Sequence, residues 1–224
     1  MQELYVDSVA HRYGENTVLN NVYLNCLIGE VVGLLGRNGS GKSTLLKIIF
    51  GGITPRYMHM KLNGKLVKNA YRTGLVAYLP QDFFVPGNLK VRQLVELYTH
   101  KYKTDLLQQQ TITDILDKRM DELSGGQRRL VECFLILYSD SDFVLLDEPF
   151  SQLAPVIIEE IQKHIARFKL RKGIILTDHY YQHILDASDR IVLLHNGCNY
   201  KISSVEDLQL HGYIKNLYLQ PSNI

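Results

Sequence analysis

The chain has 224 residues, 46% hydrophobic and 21% charged, a composition that builds one substantial core rather than a disordered or fibrous chain. A formal net charge of +2 excludes nucleic acid or an acidic bilayer as a partner held mainly by charge. Cys26, Cys133 and Cys198 are odd in number and far apart, so they fit neither a disulfide framework nor a zinc site, and reduced cytosolic thiols are expected. The N-terminal stretch carries acids and no apolar core, so no signal peptide is expected, and no apolar run approaches the ~18–20 residues of a membrane helix.

In chain order, "LYVDSVAHRYGENTVL" predicts two strands around a turn at Gly14-Glu15-Asn16, and "EVVGLL" a buried strand. "SGKSTLLKIIFGG" predicts a helix with Leu45, Leu46, Ile48 and Ile49 on its apolar face, stopped by Gly51-Gly52. "KLNGKLV" carries the hairpin signal Asn63-Gly64, and "GLVAYLPQD" a strand ended by Pro80. From 87 to 139 strand-like runs vanish. "VRQLVELYTHKY", "TITDILDKRM" and "QRRLVECFLILY" have helical spacing. Strands return with "FVLLD", "GIILTDH" and "RIVLLHNG", and an amphipathic helix "PVIIEEIQKHIARFKLR" lies between them, Pro155 near its start. Alternating strands and helices predict a mostly parallel α/β sheet with a helical insertion, in one domain with subdomains.

"GRNGSGKS", residues 36 to 43, matches a phosphate loop placed between a predicted strand and a predicted helix. Its glycines let backbone N–H groups turn inward around phosphates, and the helix start adds partial positive charge. In that role Lys42 bridges the β- and γ-phosphates and the Ser43 hydroxyl binds Mg²⁺. "FVLLDEP" places two acids at the ligand end of a strand. Asp147 can hold Mg²⁺, usually through water, and Glu148 can take a proton from an attacking water. Pro149 is expected to keep Glu148 extended. In "LSGGQ" Ser124 sits where an N-cap belongs, before two flexible glycines; on physics alone a plain cap is the ordinary reading.

Taken in order, "GRNGSGKST", "LSGGQ" and "LLDEP" resemble the ATP-binding cassette family, over about residues 13 to 197. The resemblance implies a P-loop NTPase (RecA-like) core at about 1–86 and 140–224, with an N-terminal antiparallel β subdomain and an inserted helical subdomain at about 87–139. It implies nucleotide contacts from Tyr13, stacked on adenine, and from Gly36, Arg37, Asn38, Gly39, Ser40, Gly41, Lys42, Ser43 and Thr44. The catalytic set it implies is Lys42, Gln81, Glu148 and the switch histidine His179, with Ser43, Gln81 and Asp147 as Mg²⁺ ligands. Family members pair head to tail, so Ser124, Gly125, Gly126 and Gln127 would contact ATP held by a second ATPase subunit, identical or related. The implied work is ATP hydrolysis that powers a transmembrane permease subunit from the cytoplasmic face of the membrane, with no nucleic-acid partner. Phe83, Phe84 and Val85 then lie beside the groove that takes the permease, ordinary core being the competing expectation.

Two features depart from the family. The loop after Pro149 reads Ser151-Gln152-Leu153-Ala154, where relatives end it with an aspartate that reaches across the dimer, and the helical stretch is short. Hydrolysis is expected to survive, with weaker coupling between sites. "TDHYYQHILDASDRIVLLHNG" and the tail "GYIKNLYL" loosely resemble the ATPases of lipopolysaccharide export and branched-chain amino-acid import. Competing expectations are a soluble non-transport member of the family and a nucleotide-binding regulator with weak hydrolysis.

Overall fold

The structure, a computed structural model, describes residues 2–214. Its ten strands are β1 (Glu3–Tyr13), β2 (Asn16–Leu27), β3 (Val31–Leu35), β4 (Tyr57–Leu62), β5 (Lys65–Leu66), β6 (Val76–Leu79), β7 (Phe143–Asp147), β8 (Gly173–Thr177), β9 (Arg190–His195) and β10 (Cys198–Ile202). The helices are α1 (Lys42–Phe50), α2 (Val91–Tyr98), α3 (Lys103–Leu107), α4 (Gln110–Thr113), α5 (Gly125–Leu137), α6 (Pro155–Lys169), α7 (Tyr181–Ala187) and α8 (Val205–Leu210).

Every residue of β3, β7 and β8 is buried, as strands without a polar face must be. They lie inside a six-stranded sheet of order β10-β9-β3-β8-β7-β6, parallel except for the antiparallel edge strand β10. Alternation along these strands feeds two cores. Leu35, Val144, Leu146, Ile174 and Leu176 share one core with α5, α6 and Ile184 of α7. Leu34, Leu145 and Ile175 face α1 and a second, antiparallel sheet of order β2-β1-β4-β5.

The β1–β2 and β4–β5 hairpins match expectation. Asn63 and Gly64 both take positive φ, 52° and 78°, as a tight two-residue hairpin turn requires. The helices expected over 91–102 and 111–120 are cut short. Residues 114–117 turn without continuing α4. Polar side chains compete for the backbone there. The Thr99 hydroxyl donates to Val95 O at 2.8 Å, and that of Thr113 donates to Leu107 O at 2.9 Å. The elements α7, β10 and α8 are not among those predicted, although Asn196-Gly197 between β9 and β10 carries the same hairpin signal as Asn63-Gly64. Cys26, Cys133 and Cys198 are free thiols, and burial pushes that of Cys133 up to about 12. Among the described residues no helix is long and apolar enough to cross a membrane. Residues 215–219 of the tail stretch lie outside the described residues.

Candidate functional site

The loop after β3 closes because Gly36 lacks a Cβ: one added there would meet Ser40 Oγ at 2.3 Å and Leu194 O at 2.7 Å. Gly41, at φ 101°, then hands the chain into α1, whose first N–H groups open toward the loop. Lys42 is buried and its Nζ donates to Gly36 O at 2.7 Å. Burial lowers its pKa, while Glu148, Asp147 and Asp178 pull it back up.

β7 ends at Asp147, fully buried and gathering three hydroxyls. Ser43 Oγ and Thr177 Oγ1 donate to Oδ1 at 2.9 and 3.0 Å, and Tyr78 OH to Oδ2 at 2.9 Å. Glu148 is 4% exposed. Its Oε2 accepts from Gln81 Nε2 at 2.9 Å and lies 2.7 Å from His179 Nε2. Burial raises its pKa, Asp147 adds to the rise, and His179 and Lys42 oppose it.

The expectation that Pro149 keeps Glu148 extended is wrong. Glu148 has φ 53°, a left-handed conformation. A following proline disfavours the right-handed α region, but hydrogen bonds decide between the conformations that remain. The Glu148 N–H donates to Thr177 O and Thr177 Oγ1, both at 3.1 Å, and Arg129 holds the carbonyls on either side of its Cα.

A cleft of about 420 Å³ joins Tyr13, Asn38, Gly39, Ser40, Gly41, Lys42, Ser43, Thr44, Gln81, Glu148 and His179. Tyr13 is 52% exposed at its rim, with the His11 ring in a T-shaped contact at 4.7 Å. Gly36 is buried in the turn. Arg37 lies outside this cleft and donates to Gly212 O.

Ser124, Gly125, Gly126 and Gln127 also lie outside that cleft. Ser124 caps α5: its Oγ accepts from Gln127 N at 3.3 Å, and Gln127 Oε1 accepts from Ser124 N at 3.1 Å. Of the two glycines read as flexible, only Gly125 has open space around it. A Cβ on Gly126 would meet Ile157 Cδ1 at 2.6 Å, so the α6 side chain packs directly on this glycine and would have to shift for any larger residue. Gly125 and Gly126 border a separate cleft of about 370 Å³ with Gln81, Glu148 and Leu153. Val85 is core, whereas Phe83 is 48% exposed with the Arg128 guanidinium 4.4 Å over its ring.

Ala154 is the N-cap of α6 and offers no side-chain bond to the free N–H groups of its first turn. Ala154→Asp should therefore stabilise the fold by about 1 kcal/mol in denaturant titration. In turnover it should change cooperativity in ATP more than the basal rate; no change in either quantity counts against a coupling role for this loop.

Sequence reading missed Tyr78, Arg129 and Thr177. Thr177 had a usable signal, since it ends a strand next to Asp178-His179; the other two are visible only through their contacts.

A phosphate loop and paired acids at the carboxyl ends of a mostly parallel sheet define a nucleotide-hydrolysing P-loop protein. The family model described as "ABC transporter" matches residues 19–151, more than half of the chain. The chain is 32% identical to an uncharacterised ABC transporter ATP-binding protein of Rhizobium meliloti, over 92% of this chain and 82% of that protein. It is 28% identical to the lipopolysaccharide export system ATP-binding protein LptB of Haemophilus influenzae, over 98% of each. Among solved structures it resembles an ATP-binding subunit of an ABC transporter with a TM-score of 0.82 at 25% identity, covering 95% of this chain and 94% of that one. The chain belongs to the ABC transporter family and is an ATP-binding, ATP-hydrolysing subunit of such a transporter.

Proposed function

We propose that the 420 Å³ cleft is the ATP site and that hydrolysis there drives a transmembrane partner through closure of two cassettes. The observation that carries this reading is the convergence of Lys42, Gln81, Glu148 and His179 on one cleft, with Asp147 and Ser43 bonded at its floor. Tyr13 stacks on the base, residues 36–44 wrap the phosphates, and Lys42 turns from Gly36 O to the β- and γ-phosphates. Hard oxygen donors at Ser43, Asp147 and Gln81 fit Mg²⁺, and the Ser43–Asp147 contact already brings two of them together. When bound, Mg²⁺ supplies positive charge that offsets that of the phosphate oxygens.

Glu148 takes the proton of the attacking water. Burial makes its carboxylate more basic than a solvated glutamate, while Gln81 and His179 fix its direction. ATP favours the closed pair because it touches Lys42 on one chain and Ser124 on the other, and loss of phosphate releases that preference. Residues 87–139 are the helical arm inserted into the single ATPase core and, with Phe83, face the partner.

Affinity isolation of the tagged chain from gently solubilised membranes should bring down a multispanning protein. Recovery of active ATPase wholly in the soluble fraction, with no such protein attached, contradicts the transport role and favours the soluble reading.

A further inference from the structure

Arg129, in the first turns of α5, is 4% exposed, and its guanidinium bonds neutral carbonyls rather than a carboxylate. Nη1 donates to Pro80 O at 2.7 Å, and Nη2 donates to Asp147 O at 2.8 Å and Glu148 O at 3.0 Å. The Glu132 carboxylate, fully buried, balances the guanidinium charge at 3.9 Å as an ion pair without a hydrogen bond. A buried guanidinium spent on three carbonyls is an expensive arrangement, and its placement is specific. Pro80 precedes Gln81. The other two carbonyls belong to the peptides on either side of the Glu148 Cα.

In an extended strand, successive carbonyls point to opposite sides. One nitrogen can reach both here because Glu148 is left-handed, at φ 53°. The clamp and the unusual backbone therefore require each other. The Asp147–Glu148 peptide is held from both sides, its oxygen by Arg129 and its N–H by Thr177.

We propose that Arg129 is a positioning residue for hydrolysis, one that sets the Glu148 carboxylate against Gln81 from the helix that also carries Ser124. It does not line the 420 Å³ cleft proposed to hold ATP. It acts through backbone, so its loss misdirects Glu148 without removing any phosphate contact. This rests on Glu148 being the base.

The test compares Arg129→Met and Arg129→Lys with the native chain, measuring steady-state kcat, the KM for ATP and equilibrium binding of ATP, with Glu148→Gln as control. Arg129→Met should lower kcat by about tenfold to a hundredfold, the scale of a misplacement near 1 Å, and change ATP affinity by less than about threefold. Arg129→Lys keeps the charge but cannot fork to three carbonyls, so its kcat should fall between the two. Should Arg129→Met fail to fold, Arg129→Lys decides. A native kcat in the lysine variant, or kcat and ATP affinity falling in parallel, overturns the proposal. If Glu148→Gln turns over normally, the base assignment fails instead; if that control is inactive while the arginine variants run at the native rate, only the role of Arg129 fails.

Discussion

Glu148→Gln should lower steady-state ATP turnover by about 10²–10⁴-fold, or roughly 3–5 kcal/mol of barrier, and leave ATP binding in place. Glutamine fills the same space and can still accept from Gln81. It cannot take a proton from water. The native carboxylate is suited to that task because it is 4% exposed, with burial raising its pKa against the pull of His179 and Lys42. Binding should persist because the phosphate loop, Lys42 and Tyr13 are untouched. Turnover measured beside equilibrium binding separates the two effects. A glutamine variant with native turnover shows that Glu148 is not the base.

Ser124→Arg should lower turnover by about a hundredfold or more without weakening ATP binding by the dilute chain. Ser124 is exposed, lies outside the 420 Å³ cleft and already serves as a helix cap. Its capping role is controlled by Ser124→Gly, which costs a cap only a few tenths of a kcal/mol. Were Ser124 only a cap, the arginine variant would behave like a chain about 1 kcal/mol less stable and keep its rate. A large loss of rate at unchanged binding requires that Ser124 meet the nucleotide of another chain. Unchanged turnover in Ser124→Arg contradicts that arrangement.

The legible part of this protein was the part where several residues had to agree. Gly36 to Ser43, between an apolar strand and an apolar-faced helix, allowed essentially one local geometry. The same holds for "FVLLD", whose apolar run predicts a central strand and whose acids mark its ligand end. The region from 87 to 139 was less legible. Its apolar residues keep helical spacing through Thr99 and Thr113, yet the helices stop there, where those hydroxyls bond nearby carbonyls. Glu148 illustrates a second limit. A local rule for the residue before proline excluded one conformation, and contacts from Arg129 and Thr177, far away in sequence, chose among the rest. Gly126 illustrates a third: it packs against Ile157 on another helix, a contact the local sequence does not display. The Tyr78 hydroxyl was hidden for the same reason, since it reaches Asp147 only across the sheet.

Everything in the mechanism depends on triphosphate being gripped by two chains at once, and complementation tests that most directly. Lys42→Ala and Ser124→Arg should each be inactive alone. In an equimolar mixture, half of the pairs are mixed and each contains one intact site, so turnover should recover to about a quarter of the native level. With Ala154 in place of an acid, the two sites are expected to be weakly coupled, so a lone intact site should fire. A mixture that stays at the background of its two parents, at concentrations where the native chain turns over fully, contradicts the account.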